Sequence, residues 1–369
     1  MKPKHIIIDA RIRRASTGRP VDRLLEHLQQ LDNAHKYTVL LEPDDDWKPV
    51  NPRFKSIPWH YKQFSFNPLQ QISFARSLRR LKPDLVHFTM TGQQPLFYFG
   101  RQTTFTHDLT MFKYARAGRL PGWLHWLRMR GYHLLIWQAH KQARKILVPT
   151  EYVRDAVAKF HLFTNRKLVV TLEASEPPIA GKAVVPNIAP EQFILYVGTA
   201  FPHKNLDRLV ESFGLLKARF PELQLVLVGK NEYHRKQLRK RVRSTQFAHD
   251  IIFTGFVPDA ELKWYYTHAH AYVFPSLSEG FGLPPLEAMV HGCPVVASDA
   301  TCIPEVCGDA AQYFDPENVE EMAESISKVL GSEKLRNDLI AKGKKQVAKY
   351  SWRRMAEQTL AIYNEVLND

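Results

Sequence analysis

FILYVGTAFPHKNLDRLVESFGLLKARFPELQLVLVG, residues 193–229, reads as a single strand–helix–strand unit. FILYVG and LQLVLVG (223–229) are short unbroken apolar runs closed by glycine, the pattern of strands buried on both faces of a parallel sheet. Between them, residues 205–219 carry apolar side chains at helical spacing, which supplies the crossover that parallel pairing requires. The alternation continues with a helix at 232–243, IIFTGF (251–256), a helix near 259–267, AYVFPS (271–276), a helix at 284–291 and PVVAS (294–298). It also runs upstream. HIIID (5–9) leads through a turn at Ser16-Thr17-Gly18 into the helix VDRLLEHLQQL. YTVLL (37–41), a helix at 69–81, DLVHF (84–88), QTTFTHD (102–108), KILVP (145–149), a helix opened by Thr150-Glu151 and LVVTL follow. Residues 173–190, EASEPPIAGKAVVPNIAP, have no sustained period and read as a linker with its neighbouring loops. The expected fold is α/β: two facing doubly wound Rossmann-like domains, residues 1–185 and 190–350.

A chain of 369 residues has room for two cores, and 44% hydrophobic with 24% charged residues is a globular composition. No run of eighteen apolar residues occurs, so no spanning helix is expected, and HIIID is too short for a signal peptide. Three cysteines (Cys293, Cys302, Cys307) suit a reduced cytoplasmic compartment, and no histidine or fourth cysteine stands at zinc-ligand spacing beside them. The net charge of +14 is lopsided. Residues 1–190 hold 30 of the 51 basic groups but only 14 of the 37 acidic ones, so the whole excess lies there. From Arg101 to Lys145 nine basic residues and one acid, Asp108, alternate with Trp123, Trp126 and Trp137. Such a stretch suits an anionic partner, although solvated faces are often basic too. No nucleic-acid recognition motif accompanies the charge, so a basic nucleic-acid-binding protein is the disfavoured alternative and no nucleic acid is expected as partner. Asp44-Asp45-Asp46 has the D-x-D spacing of a metal site, but it follows a strand and Pro43 and reads as a solvated loop.

SLSEGFGLPPLEAMVHGCPVVASDATCIPEVCGDA, residues 276–310, is where chemistry is expected. The strand AYVFPS delivers the chain to Glu279. Gly280-Phe281-Gly282 can then bring backbone N–H groups close to an anion, and Pro284-Pro285 open a helix. A glycine loop before a helix start suits a diphosphate. Glu279 in the loop and Glu287 on the helix can both accept hydrogen bonds from sugar or ribose hydroxyls.

EGFGLPPLEAM, followed by G-x-PVVAS, PEV and GDAA, resembles the signature of the retaining glycosyltransferases of GT-B fold that include bacterial mannosyl- and glucosyltransferases and carry an E-x7-E motif. By that resemblance Glu279 would contact the donor sugar, the backbone of Phe281, Gly282 and Leu283 would line sugar and diphosphate, and Glu287 would hold the ribose. YVGTAFPHKNLDRLVESF (196–213) is similar to the segment that presents a basic residue to the diphosphate, here Lys204, with Asn205 expected to cap the next helix. Many relatives have arginines where this chain has Thr199 and His203, which leaves more of the neutralisation to Lys204. His107, at the end of QTTFTHD, matches a histidine that orients the sugar and the incoming hydroxyl. Thr17-Gly18-Arg19 resembles a weakened G-x-GR loop with Ser16 in place of the first glycine, leaving backbone approach to the diphosphate to Gly18. Gly229 and the Gly255-Phe256-Val257 segment match positions holding the nucleotide base, and residues 352–369 match a terminal helix that crosses back to the N-terminal domain.

The implied reaction moves a hexose, mannose foremost, from a nucleoside-diphosphate sugar to a hydroxyl of a glycan or lipid-linked acceptor in polysaccharide or glycolipid synthesis. The anomeric configuration would be kept, with no metal and no other cofactor. A UDP-sugar (glucose or N-acetylhexosamine) is the alternative donor to GDP-mannose. Catalytic roles would fall to His107, Lys204 and Glu279. The basic tryptophan-bearing stretch 113–145, interrupted at Gly131, would permit peripheral contact with the anionic inner face of the membrane.

Overall fold

The apolar runs form two parallel sheets in the computed structural model, which describes residues 2–15, 17–114, 122–187, 189–230 and 232–369. In the first, β1 (His5–Asp9), β2 (Lys36–Leu41), β3 (Phe54–Pro58), β4 (Leu85–Phe88), β5 (Gln102–Phe105), β6 (Lys145–Val148) and β7 (Leu168–Val170) lie in the order β3-β2-β1-β4-β5-β6-β7. In the second, β8 (Phe193–Val197), β9 (Gln224–Val228), β10 (Ile251–Gly255), β11 (Ala271–Phe274), β12 (Val295–Ser298) and β13 (Ala311–Phe314) lie in the order β10-β9-β8-β11-β12-β13. Ile6, Ile7 and Ile8 of β1, and Ile194, Leu195 and Tyr196 of β8, are wholly buried, because helices cover both faces of a parallel sheet. Strand order reverses beside β1 in one sheet and beside β8 in the other. Each sheet therefore has a switch point, β1/β4 and β8/β11, where the loops leaving the carboxyl ends part to form a crevice.

The chain separates into two units, one of residues 1–112, 117–173 and 351–369, the other of residues 113–116 and 174–350. The C-terminal segment therefore returns to the first unit. Its helix, Trp352–Asn368, starts at Ser351, whose hydroxyl accepts the Arg354 N–H at 3.3 Å. That helix packs on the helix Arg19–Leu31, places Tyr363 against His87 with ring centroids 5.3 Å apart, and pairs Glu365 with Lys145 at 2.6 Å. Much of the expected linker is held by the second unit. Lys263 Nζ donates to the carbonyls of Ile179 and Gly181 at 2.8 and 2.7 Å, and the Ile179 N–H donates to His291 Nε2 at 3.1 Å.

Four local expectations are corrected. QTTFTHD is a strand only to Phe105, so Thr106, His107 and Asp108 lie beyond it. β3 lies between YTVLL and the helix expected at 69–81, in a proline- and aromatic-rich stretch that reads as irregular, and it is an edge strand ending at Pro58, where a missing N–H costs no ladder bond. Gly131 does not interrupt its helix, Gly122–Gln142. A Cβ there would stand 2.5 Å from the Phe66 ring, so the glycine makes room for an aromatic side chain. Asp45 is not solvated: its side chain is 2% exposed and it receives Arg13 Nη2 at 2.5 Å, while Asp44 takes Arg14 Nη1 at 2.7 Å. Asp44 and Asp45 thus clasp the loop that follows β1, while Asp46 is exposed.

Candidate functional site

In the second unit the loops after β8 and β11 flank the switch point, and they are tied together. Asn205 has left-handed backbone, φ 61°. Its side chain does not cap the following helix, Leu206–Lys217, as expected; the amide donates to the carbonyls of Pro275 and Pro316 at 3.0 and 2.7 Å. The Leu277 N–H donates to the His203 carbonyl at 2.7 Å. These bonds bring Lys204 from one loop to Glu279 from the other. Nζ stands 2.6 Å from Oε1, with the two side chains 17% and 13% exposed. Glu279 is anchored through its backbone as well: its N–H donates to the Thr301 hydroxyl at 3.2 Å and its carbonyl accepts the Cys302 thiol at 3.3 Å. Burial, and next the Glu279 charge, push the Cys302 thiol well up, so the donor keeps its hydrogen.

Beyond Glu279 the chain turns into the helix Leu283–Val290. Gly282 sits at its start with φ 89°, a conformation that a side chain would strain. Pro284 and Pro285 bring no N–H, so the donors at this helix start are the amides of Phe281, Gly282 and Leu283. The Phe281 side chain is buried edge-on against Tyr350, with centroids 5.5 Å apart, which leaves its backbone as the part able to meet a ligand. Glu287, on the helix, is partly buried and accepts the Tyr266 hydroxyl at 3.3 Å. Its carbonyl contacts His291 Nδ1 at 2.8 Å; since His291 Nε2 accepts the Ile179 N–H, Nδ1 is the donor.

The remaining predicted residues of this unit divide. Thr199 offers its carbonyl to the Tyr196 hydroxyl at 2.7 Å. Gly229 (φ 146°) donates its N–H to the Gly255 carbonyl at 2.9 Å, and a Cβ on it would stand 2.1 Å from the Gly198 carbonyl oxygen. This glycine is required by close backbone packing. Val257 is buried, whereas Phe256 is 73% exposed, an aromatic face left open at the sheet's carboxyl edge.

Arg235 has no counterpart in the sequence expectations. It is fully buried beneath that edge, where its guanidinium donates to the carbonyls of Leu227, Val228 and Gly198 at 2.9, 3.1 and 2.6 Å. Burial pulls its pKa down from the ordinary arginine value. Glu232 fastens the same region, accepting the N–H groups of Ala200 and His234, each at 2.9 Å. Basic residues in the pattern RKQLRKR look like one solvated helix face, so nothing local singles out Arg235.

In the first unit His107 follows β5 at the sheet's carboxyl edge. Its Nε2 is 3.0 Å from the Thr89 carbonyl and its Nδ1 is 3.5 Å from Glu173 Oε1. Beneath it, His87 is entirely buried with Nδ1 2.9 Å from the Thr103 hydroxyl, and burial pushes its pKa down to about 3. Both histidines border a small cavity of about 10 Å³, room for one water molecule, whose walls include Met355 and Thr359 of the terminal helix. Gly18 starts the helix Arg19–Leu31. Its N–H is used within the turn, donating to the Ala15 carbonyl at 3.0 Å, and a Cβ would clash with the Arg13 carbonyl oxygen at 1.8 Å. Ser16 lies outside the described residues.

Comparison with known proteins follows this division. Residues 18–171 match the family described as Glycosyltransferase Family 4, and residues 182–346 match Glycosyl transferases group 1. The chain is 30% identical over 275 residues to O-antigen chain mannosyltransferase B of Escherichia coli, covering 71% of this chain and 70% of that one. It is 34% identical over 182 residues to the serotype-specific mannosyltransferase WbdA of Escherichia coli, covering 48% of this chain but only 22% of that longer protein. Among solved structures, sucrose-phosphate synthase from Thermosynechococcus elongatus superposes with a TM-score of 0.77 over 100% of both chains at 19% identity, a likeness of fold.

Proposed function

The chain belongs to the group 1 glycosyl transferases of GT-B fold, and on that footing we propose that it transfers mannose from GDP-mannose to a hydroxyl of a growing glycan or a lipid-linked acceptor. It is a glycosyltransferase, and its relatives are named as O-antigen mannosyltransferases. The observation that carries the site is the meeting of Lys204 and Glu279 at the β8/β11 switch point, just ahead of a glycine-led helix start. There a cation and the amides of 281–283 can take up charge developing on a leaving diphosphate, without calling on a metal ion. Glu279 then serves the sugar, Glu287 the ribose, Thr199 lines the donor after β8, and the backbone of Gly229 and Val257, with the Phe256 ring, serves the base. His107 and Gly18 are the first unit's contributions, His107 by orienting the sugar and incoming hydroxyl. Retention follows if the leaving phosphate accepts the proton of a hydroxyl attacking from its own face, with no carboxylate nucleophile required.

Contact with an anionic membrane is part of the same proposal. The helix Gly122–Gln142 leaves Trp123, Trp126 and Leu127 more than half exposed, and Arg130 and Lys141 lie over the rings of Trp126 and Trp137 at 5.1 and 4.6 Å. Exposed indoles bordered by cations fit a headgroup region. Residues 115–121 of the basic stretch lie outside the described residues. No described helix is long and apolar enough to cross a membrane.

A thermal-shift panel of GDP, GDP-mannose, UDP and UDP-glucose tests the donor site. The wild type should be stabilised most by the guanine pair, and Glu287→Ala should lose that response. Stabilisation by the uridine pair alone would reassign the donor. No response to any nucleotide would overturn the site.

A further inference from the structure

We propose that Glu173 is a positioning residue for His107, an inference that rests on the reading of His107 as part of the transferase site. Glu173 belongs to the segment after the edge strand β7. The Thr171 N–H extends the ladder there by donating to the Val148 carbonyl at 2.9 Å, which holds the chain on the sheet two residues before the glutamate. The Glu173 carboxylate is buried, with the residue 4% exposed, and it faces His107 Nδ1 at 3.5 Å.

The other ring nitrogen settles what this contact means. The Thr89 carbonyl can only accept, so Nε2 carries a hydrogen and donates to it at 3.0 Å. The acceptor at Nε2 and the carboxylate at Nδ1 together define one ring orientation, because a flipped imidazole would turn carbon atoms toward both oxygens. A carboxylate taken out of water without a partner is costly, and Nδ1 is the polar atom set against this one. At 3.5 Å the contact is longer than a closed charge-assisted hydrogen bond of about 2.8 Å. Glu173 therefore aims the ring without clamping it. The Phe105 ring, with its centroid 4.5 Å from that of His107, restricts tilting from the side. Both ring nitrogens of His107 are then committed, Nε2 to Thr89 and Nδ1 toward Glu173, so the ring is held in one place and is not set to collect a proton.

The test uses the full chain and donor hydrolysis, GDP released from GDP-mannose with water as acceptor, alongside the same measurement with UDP-glucose. Glu173→Ala should lower kcat severalfold, short of the roughly 10- to 100-fold of a closed hydrogen bond to a charged group, with the donor KM changed less than about twofold. Glu173→Gln, which keeps a polar partner for Nδ1 whichever way that nitrogen is protonated, should recover part of the loss. In a His107→Ala background Glu173→Ala should cost nothing further. ¹⁵N-histidine spectra give a readout independent of turnover: the His107 Nδ1 resonance should move in Glu173→Gln while Nε2 stays protonated. Full kcat in Glu173→Ala beside a crippled His107→Ala would overturn the positioning role alone. Full additivity of the two substitutions, or an unmoved Nδ1 resonance, would do the same. Wild-type turnover in His107→Ala would overturn both this role and the underlying reading of His107.

Discussion

Replacing Glu279 by glutamine and replacing Lys204 by methionine should push GDP affinity in opposite directions. In the resting structure the Lys204 charge is largely spent on Glu279, at 2.6 Å and with both side chains mostly buried. An anion received by Lys204 must lie within about 6 Å of that carboxylate, and at an effective dielectric of about 20 to 40 the repulsion is about 1 to 3 kcal/mol. Glu279→Gln removes the repulsion and unmasks the lysine, so GDP should bind roughly 5- to 100-fold tighter. Transfer from GDP-mannose should nevertheless fall, because the carboxylate proposed to meet the sugar is gone. Lys204→Met should weaken GDP by at least about tenfold, leave guanosine binding unchanged, and cost about 1 to 3 kcal/mol of stability, since Glu279 then stays partly buried without its cation. Isothermal titration with GDP and guanosine, beside chemical denaturation, reads all of these. Weaker GDP binding in Glu279→Gln, or equal losses of GDP and guanosine binding in Lys204→Met, would refute the charge-masking argument.

Three further outcomes follow from the same geometry. Gly229→Ala should cost about 3 kcal/mol or more, or prevent folding, because φ is 146° and the new methyl would lie 2.1 Å from the Gly198 carbonyl oxygen; circular dichroism melts check it, and a near-native melt would contradict it. Tyr266→Phe removes the hydroxyl that steadies Glu287 and should weaken GDP about fivefold by titration, the worth of one modest hydrogen bond, with the melting temperature little changed. His87 and His140 are both held down to about 3 by burial, well below the 6.5 of an unfolded histidine. The unfolded chain therefore binds protons that the folded one refuses as pH falls from 6.5 toward 3. Each histidine should remove up to about 1.4 kcal/mol of stability per pH unit across that window, and urea midpoints that stay flat from pH 6.5 to 4 would contradict it.

The doubly wound pattern is legible because buried parallel strands must be continuous apolar runs, and FILYVG, LQLVLVG and HIIID are such runs. Glu279, Gly282 and Glu287 stand out for a related reason: a strand end, a glycine loop and a proline-led helix start are adjacent in sequence. What stays hidden depends on distant partners. Asn205 has the ordinary appearance of a helix cap, yet its amide serves the carbonyls of Pro275 and Pro316. Glu173 sits in a stretch that looks like linker, and only the fold places it against His107. Asp45 looks solvated until Arg13 closes over it. Gly18 carries a constraint invisible in the sequence: its own turn demands a glycine, because the Arg13 carbonyl leaves no room for a Cβ.

The donor site is tested most directly by a crystal structure of the protein with GDP-mannose. The diphosphate should lie within hydrogen-bonding distance of Lys204 Nζ and the amides of residues 281–283, with Glu279 released from the lysine toward the sugar and Glu287 on the ribose hydroxyls. A nucleotide bound elsewhere, or bound with the Lys204–Glu279 pair still closed at 2.6 Å and the diphosphate out of its reach, would contradict the assignment.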